Sequence, residues 1–346
     1  MSHNRVLITT SWLSEGDHVH RVLTEAGCDV VFGRPTDLER QGRSLEDSVG
    51  DIDAIIAGVE PCGARVLHAA PRLKVVARTG VGYDNVDVAT ANTLGVAVCV
   101  TPSVNRRSVA EFTLAALLNL VRGIPQASAL LQEGDWAQVS GRELYGKTLG
   151  VVGFGEIGRS VAVLGQALGM TVLACDPYSD GALVEQAGAS LVELPELLAR
   201  SDAITLHVGL TDDTRHLIDA DAIGRMKHTA VLVNAARGGV VDEKALVEAL
   251  RAGRIAAAAV DTFEHEPLPP DSALRGVTNL LLTPHIAGAT VEGRARSATS
   301  AARSVVAALA GKTPRAVVNG DAIAHRARLM AVSRRPAERG VCDPTS

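Results

Sequence analysis

The sequence predicts an α/β protein built from two doubly wound parallel sheets. Three observations carry this prediction. The apolar stretches are short and continuous rather than alternating, as in strands covered by helices on both faces. They are rich in Val, Ile and Leu, and they alternate with helix-patterned segments along nearly the whole chain. One of them, LGVVGF (149–154), leads directly into a glycine-punctuated turn that opens an amphipathic helix. At 346 residues the chain exceeds one ordinary core, so two domains are expected.

The first half offers strands at VLITT (6–10), DVVF (29–32), AIIAG (54–58), LKVVAR (73–78) and VAVCV (96–100). SVNRRSVAEFTLAALLNLVRG (103–123) follows, with Val109, Phe112, Ala116 and Leu120 at the spacing of one helix face. Ser108 and Glu111 have the spacing of a capping box, and this helix is the expected first crossing between domains. The second half continues with LGVVGF, TVLACD (171–176), AITLHV (203–208), AVLVNAA (230–236), AAAAVDTF (256–263) and NLLLTP (279–284). A helix over 291–311 is expected to return the chain to the first domain. The end of the chain is rich in Arg, Ala and Pro without periodicity and reads as poorly ordered.

Composition narrows the function classes. The chain is 47% hydrophobic and 21% charged, close to a soluble globular average, with a formal net charge of −5. That charge argues against nucleic acid or an anionic membrane as a partner. No apolar run reaches the roughly 18 residues that span a bilayer. The opening MSHNRVLITT enters a strand without a signal-peptide core. Cys28, Cys62, Cys99, Cys175 and Cys342 are scattered and form no CxxC pair, which suits free thiols in a reducing cytoplasm and indicates no metal site.

The segment 149–164 places Gly153, Gly155 and Gly158 in the G-x-G-x-x-G pattern. After a strand and before a helix, this pattern marks a Rossmann dinucleotide site. Gly153 permits the tight turn, Gly155 lets a pyrophosphate approach, and Gly158 packs helix on strand. The N–H groups of Glu156 and Ile157 at the helix start would face the phosphates. Asp176 ends the next strand, about 20 residues on, where a carboxylate accepts ribose hydroxyls and repels a 2′-phosphate. NAD is therefore expected rather than NADP.

Three polar residues lie just beyond apolar strands of the second half: Arg237, Glu266 and His285. Carboxyl ends of parallel strands are where such sheets place ligands. A guanidinium can hold a carboxylate with two parallel hydrogen bonds. An imidazole can exchange a proton with a hydroxyl, and a carboxylate beside it favours its charged form. Each residue alone also fits a structural role, whether cap, solvated acidic patch or turn. Their ordered occurrence after a dinucleotide fingerprint favours chemistry on a 2-hydroxy acid.

The strings RTGVGYDNVDVATANTLGVAV, VGFGEIGRSVA, NAARGGVVDEKALVEAL, AVDTFEHEPLP and NLLLTPHIAGAT resemble the D-isomer-specific 2-hydroxyacid dehydrogenase family over nearly all of Ile52 to Asn319. The resemblance is to phosphoglycerate dehydrogenase-like members, in a short form without a regulatory domain. It implies that Arg237, Glu266 and His285 are the catalytic set. It implies cofactor contacts at Asp261, on the nicotinamide carboxamide, and around Ala235, with His207 and Gly288 also assigned to the cofactor site. Val81 and Gly82 would present N–H groups to the substrate carboxylate, with Arg78 and Asn105 at the edge. The implied architecture is an NAD-binding Rossmann domain (102–289) inserted into a discontinuous flavodoxin-like substrate domain (1–101 and 290–318), with a tail over 319–346. A homodimer through the NAD-binding domains is implied.

There are departures from the family pattern. Serine-pathway phosphoglycerate dehydrogenases carry an Arg-Ser pair near the end of the third strand, where this chain has Ala57-Gly58. The usual Leu-His-x-Pro-Leu-Thr reads LHVGLT, with Gly209 for Pro, which implies a looser adenosine-pocket wall. Arg106 and Arg107 are an unusually basic entry to the crossing helix. The expected partner is a small 2-hydroxy or 2-oxo acid. Two alternatives stay open: a phospho- or phosphono-2-oxo acid substrate, and a non-catalytic NAD-dependent scaffold resembling C-terminal-binding proteins.

Overall fold

The computed structural model describes residues 3–322 and Arg326. The chain forms two compact units, one running to Pro102 and resuming at Ala295, the other spanning Ser103–Arg294.

The first unit contains β1 (Asn4–Ile8), β2 (Cys28–Phe32), β3 (Ala54–Ala57), β4 (Val75–Arg78) and β5 (Ala97–Cys99), in the order β2-β1-β3-β4-β5. Every pairing is parallel, and this is the flavodoxin-like order. Alternate residues feed two cores. Val6, Ile8, Ala54, Ile56, Val75 and Ala77 point to one face, and Leu7, Ile55, Ala57, Val76 and Val98 to the other. The first face is covered by the helix Val291–Leu309, whose Ala298, Ala301, Ala302 and Val305 recur at three- and four-residue spacing. Burial on both faces is why these strands read as continuous apolar runs.

The tail expectation needs a correction at its start. Asn319 is buried, its Oδ1 accepts from Val98 N–H at 2.7 Å, and its Nδ2 donates to Val96 O at 2.9 Å. Val317 adds an antiparallel bridge to Cys99. An open strand edge offers unpaired backbone groups, and this segment takes them up. The rest of the expected tail, residues 323–325 and 327–346, lies outside the described residues.

The second unit contains β6 (Thr148–Val152), β7 (Thr171–Cys175), β8 (Ala189–Leu191), β9 (Ala203–Leu206), β10 (Val231–Asn234), β11 (Ala257–Val260) and β12 (Leu280–Leu282). Their order is β12-β11-β10-β9-β6-β7-β8, with all pairs parallel. This is the Rossmann order extended by one strand, and it reverses direction between β6 and β9. The edge strand β8 gave no sequence signal, because two of its three residues are exposed. Several strands end earlier than their apolar runs, which leaves Asp261 and Thr283 in the loops beyond.

The helix expected to cross between domains runs Arg106–Arg122, wholly within the second unit, and stops at Gly123, whose φ of 61° is left-handed. It buries Val109, Thr113, Ala116 and Leu117. The Ser108 capping box does not form, because the helix starts two residues earlier and the Ser108 hydroxyl pairs with Thr290 Oγ1 at 2.8 Å. Among the described residues no single helix is long and apolar enough to cross a membrane.

Candidate active site

The carboxyl ends of β6, β7, β9, β10, β11 and β12 carry the second unit's candidate residues that follow a strand. The three fingerprint glycines have different reasons to be glycine. Gly153 has φ +89°, and a Cβ there would lie 2.6 Å from His207 O. A Cβ on Gly158 would lie 2.1 Å from Gly153 O. A Cβ on Gly155 would meet nothing within 4 Å. The protein itself requires the first and third glycines, and the second leaves an open cradle. Gly155 is the N-cap of the helix Glu156–Ala167 without a side-chain cap, and the N–H groups of Glu156 and Ile157 find no acceptor among the described residues. A cradle that no Cβ or neighbouring protein atom enters, backed by N–H groups at a helix start, fits a pyrophosphate.

Asp176 leaves β7 with Oδ2 accepting from Phe154 N–H at 2.8 Å and Oδ1 from Tyr178 N–H at 2.9 Å. The carboxylate is thereby fixed beside the glycine turn, and each oxygen retains a lone pair for a ribose hydroxyl. His207 N–H bonds Val152 O at 2.7 Å, and its Nε2 lies 3.1 Å from Thr205 Oγ1. Burial pushes this imidazole down to about 4, so it is neutral at pH 7. No atom lies within 4 Å of a Cβ on Gly209, so the departure from Pro leaves open space there. Arg106 is paired with Glu156 at 3.3 Å. The Ser103 hydrogen bond, opposed by burial and helped by Arg106, holds Glu156 below the usual carboxylate range.

His285 and Glu266 meet. His285 Nδ1 lies 2.8 Å from Glu266 Oε2, and both side chains are about one-third exposed (35% and 29%). Glu266 Oε1 accepts from Phe263 N–H at 3.0 Å. Burial opposes ionisation of Glu266. The hydrogen bond and charge of His285, the Phe263 N–H and the Arg237 guanidinium outweigh burial and bring its carboxyl below the ordinary value. The neighbouring Glu264 is otherwise engaged, 3.1 Å from His216 Nε2, with its N–H on Glu243. Of the two glutamates in FEHEP, only Glu266 is bonded to His285.

The His285 loop is held by Asp261. This carboxylate, 1% exposed, accepts on Oδ1 from Thr283 Oγ1 at 2.6 Å and Ile286 N–H at 2.8 Å, and on Oδ2 from Ala287 N–H at 2.8 Å. The Asp261 carbonyl also accepts from His285 N–H at 2.8 Å. These bonds support the left-handed backbone of His285, φ 54°, a conformation that costs a non-glycine residue about 1 to 2 kcal/mol.

Arg237 sits on a turn shaped by buried Asn234, whose Nδ2 donates to Arg237 O at 2.8 Å and whose Oδ1 accepts from Ala236 N–H at 3.1 Å. Ala235 is half-buried on the same turn. Gly238 follows, and a Cβ there would fall 1.9 Å from the carbonyl carbon of Phe263. That glycine lets the Arg237 turn press against the loop carrying Glu266. Gly288 lies against Asn105, 3.1 Å from a hypothetical Cβ to Nδ2. Among the described residues no group of three or more His, Cys, Asp or Glu side chains is arranged to hold a metal.

In the first unit, buried Arg78 at the end of β4 donates from Nε to Gly82 O at 3.2 Å and shapes the loop that follows. The N–H groups of Val81 and Gly82 have no acceptor among the described residues.

Sequence reading missed Asn234, Thr283 and Gly238. Asn234 and Thr283 sit at strand exits inside apolar runs. The Gly-Gly after Arg237 was the one available signal for a close approach.

The family model described as D-isomer specific 2-hydroxyacid dehydrogenase, NAD binding domain, matches residues 114–287. A D-3-phosphoglycerate dehydrogenase of Methanocaldococcus jannaschii is 45% identical over 279 residues, 80% of this chain and 53% of that protein. This chain thus spans about half the length of that relative. A glyoxylate reductase of Korarchaeum cryptofilum is 40% identical over 284 residues, covering 80% of this chain and 86% of the relative. Among solved structures, the TT0316 protein of Thermus thermophilus superimposes with a TM-score of 0.82 at 35% identity, covering 91% of this chain and 99% of that one. D-Lactate dehydrogenase from Aquifex aeolicus, complexed with NAD and lactic acid, gives a TM-score of 0.81 at 29% identity, covering 92% and 99%.

Proposed function

Because this chain belongs to the D-isomer specific 2-hydroxyacid dehydrogenase family, we propose that it interconverts a small D-2-hydroxy acid and its 2-oxo acid by hydride exchange with NAD. The observation that carries the reading is the 2.8 Å contact between His285 Nδ1 and Glu266 Oε2 at the carboxyl edge of a dinucleotide-binding sheet. The chemistry that NADH would supply when bound is hydride donation. Gly155 and the free N–H groups of Glu156 and Ile157 would hold its pyrophosphate, and Asp176 its ribose hydroxyls. His207, Ala235 and Gly288 would line the remainder of the cofactor site. The carboxylate of Asp176 disfavours a 2′-phosphate, hence NAD rather than NADP.

Arg237 orients the substrate carboxylate and polarises the carbonyl. Glu266 accepts the Nδ1 hydrogen of His285, which directs Nε2 toward substrate. In reduction the His285 imidazolium gives its Nε2 proton to the oxygen at C2, while Glu266 stabilises the charge beforehand. In oxidation His285 takes that proton back. The open N–H groups of Val81 and Gly82 support their assignment as carboxylate donors, with Arg78 shaping that loop and Asn105 assigned to the same contact set.

The chain is also proposed to pair with a second copy through the second unit. Ile124, Leu131, Trp136 (80% exposed) and Tyr145 (78% exposed) project from one stretch of it, an apolar load that a monomer leaves in water. Free thiols at Cys28, Cys62, Cys99 and Cys175 suit a cytoplasmic setting.

Loss of NADH absorbance with a panel of 2-oxo acids tests the activity. His285→Ala should lower kcat by about 100- to 10,000-fold and keep NADH binding. Normal turnover by that variant removes the assignment.

A further inference from the structure

The first unit has its own topological switch point, between β1 and β3, where the chain leaves the two strands in opposite directions. Crevices at such points are where open α/β sheets hold ligands. Just past these strands lie Thr9, Gly58 and Glu60. Glu60 Oε1 accepts from Gly58 N–H at 2.7 Å and from the Thr9 hydroxyl. Its Oε2 lies over Gly58, where a Cβ would come within 2.7 Å of it, and has no donor among the described residues. The backbone of the segment is pinned as well, because Asn85 Nδ2 donates at 2.8 Å to both Val59 O and Glu60 O. A carboxylate is therefore fixed just past the carboxyl ends of these two strands with one oxygen open.

The next strand over ends in Arg78 and the loop whose Val81 and Gly82 N–H groups are unsatisfied. Thr79 N–H bonds Ala57 O at 2.9 Å, so this loop and the Glu60 segment leave adjacent strands, spaced about 4.8 Å apart in such sheets. One edge thus presents anion-accepting donors beside an open anion. A ligand whose carboxylate sits on the loop offers the end of its carbon chain to Glu60.

We propose that Glu60 selects 2-oxo acids that carry a hydroxyl or a protonated nitrogen beyond the carbonyl carbon, and rejects those that carry a phosphate or phosphonate there. The proposal rests on the oxidoreductase reading above. Glu60 Oε2 accepts a hydrogen bond from the hydroxyl or ammonium group. A phosphate at that position brings two negative charges against a carboxylate that is already hydrogen-bonded in place.

The test compares kcat/KM for hydroxypyruvate and 3-phosphohydroxypyruvate in one preparation, so that fold or concentration losses cancel in the ratio. The wild-type chain is expected to prefer hydroxypyruvate by about 100-fold, and Glu60→Gln to reduce that ratio by about tenfold. NADH binding by the variant reports that the chain is folded, and the wild-type ratio needs no variant. Equal use of the two acids by the wild type, or a ratio unmoved in Glu60→Gln, overturns the proposal while leaving the oxidoreductase reading standing. Absence of NADH oxidation with every 2-oxo acid overturns both.

Discussion

Asp261 holds His285 from beneath: its carbonyl accepts the His285 N–H at 2.8 Å, and its carboxylate accepts the N–H groups of the next two residues. Asp261→Asn replaces one acceptor oxygen with an NH2 that faces an N–H donor. It should cost about 1 to 3 kcal/mol of stability and lower kcat by about tenfold or more. Calorimetry with steady-state kinetics on the same sample checks both, and wild-type values for both would show that the loop holds itself.

Glu266→Gln removes the charge beside His285 and leaves one acceptor oxygen for the two donors, Phe263 N–H and His285 Nδ1–H, that the carboxylate serves. Reduction should slow, with kcat for the 2-oxo acid falling by about tenfold or more while NADH binding is kept. Steady-state kinetics and an NADH titration on one sample measure it. An unchanged rate would detach Glu266 from the proton step.

The glycine turn separates folding from binding. Gly155→Ala should leave thermal stability near wild type, since no protein atom occupies the space, and weaken NADH binding by about tenfold or more. Gly158→Ala forces a Cβ onto a backbone oxygen 2.1 Å away and should destabilise the unit by about 2 kcal/mol or more. Tm and NADH titration of the two variants should rank in opposite orders.

Asp53 predicts the acid response of the first unit. Its side chain is 5% exposed and pairs with Arg72 at 2.6 Å and Lys74 at 3.2 Å. Burial opposes ionisation, and the Arg5 N–H together with the Arg72 and Lys74 bonds overcomes it, so the folded value is depressed. A depressed value means stability present above the unfolded carboxylate value and lost as pH falls through the folded one. Asp53→Asn should cost about 2 kcal/mol at pH 7 and progressively less below about pH 4. Urea unfolding at the two pH values reads the difference.

Legibility in the sequence followed the range of each interaction. The fingerprint and its acid are local, because each glycine answers to a turn a few residues long and Asp176 ends the very next strand. Phe154 N–H on Asp176 Oδ2 is the one bond that joins them. The Ser108 capping box misleads because the same pattern also occurs inside a helix, where Ser108 turns to Thr290. Apart from the family resemblance, nothing local distinguishes Glu266 from Glu264. That choice is made by His216 and Glu243, which engage Glu264 and leave Glu266 to His285.

By itself the sequence determined the class of the fold, the dinucleotide turn and the residue types of the site. Continuous apolar strands, a glycine turn and charged strand exits are written in runs shorter than one strand and helix. Tertiary structure alone decided which side chains meet. Parallel pairing of β11 with β12 sets Val260 beside Leu282, which brings the Asp261 and His285 loops together across more than 20 residues of chain. The pairing of β1 with β3 likewise delivers Thr9 to Glu60. Register and packing across a sheet are long-range, so no window of sequence contains them.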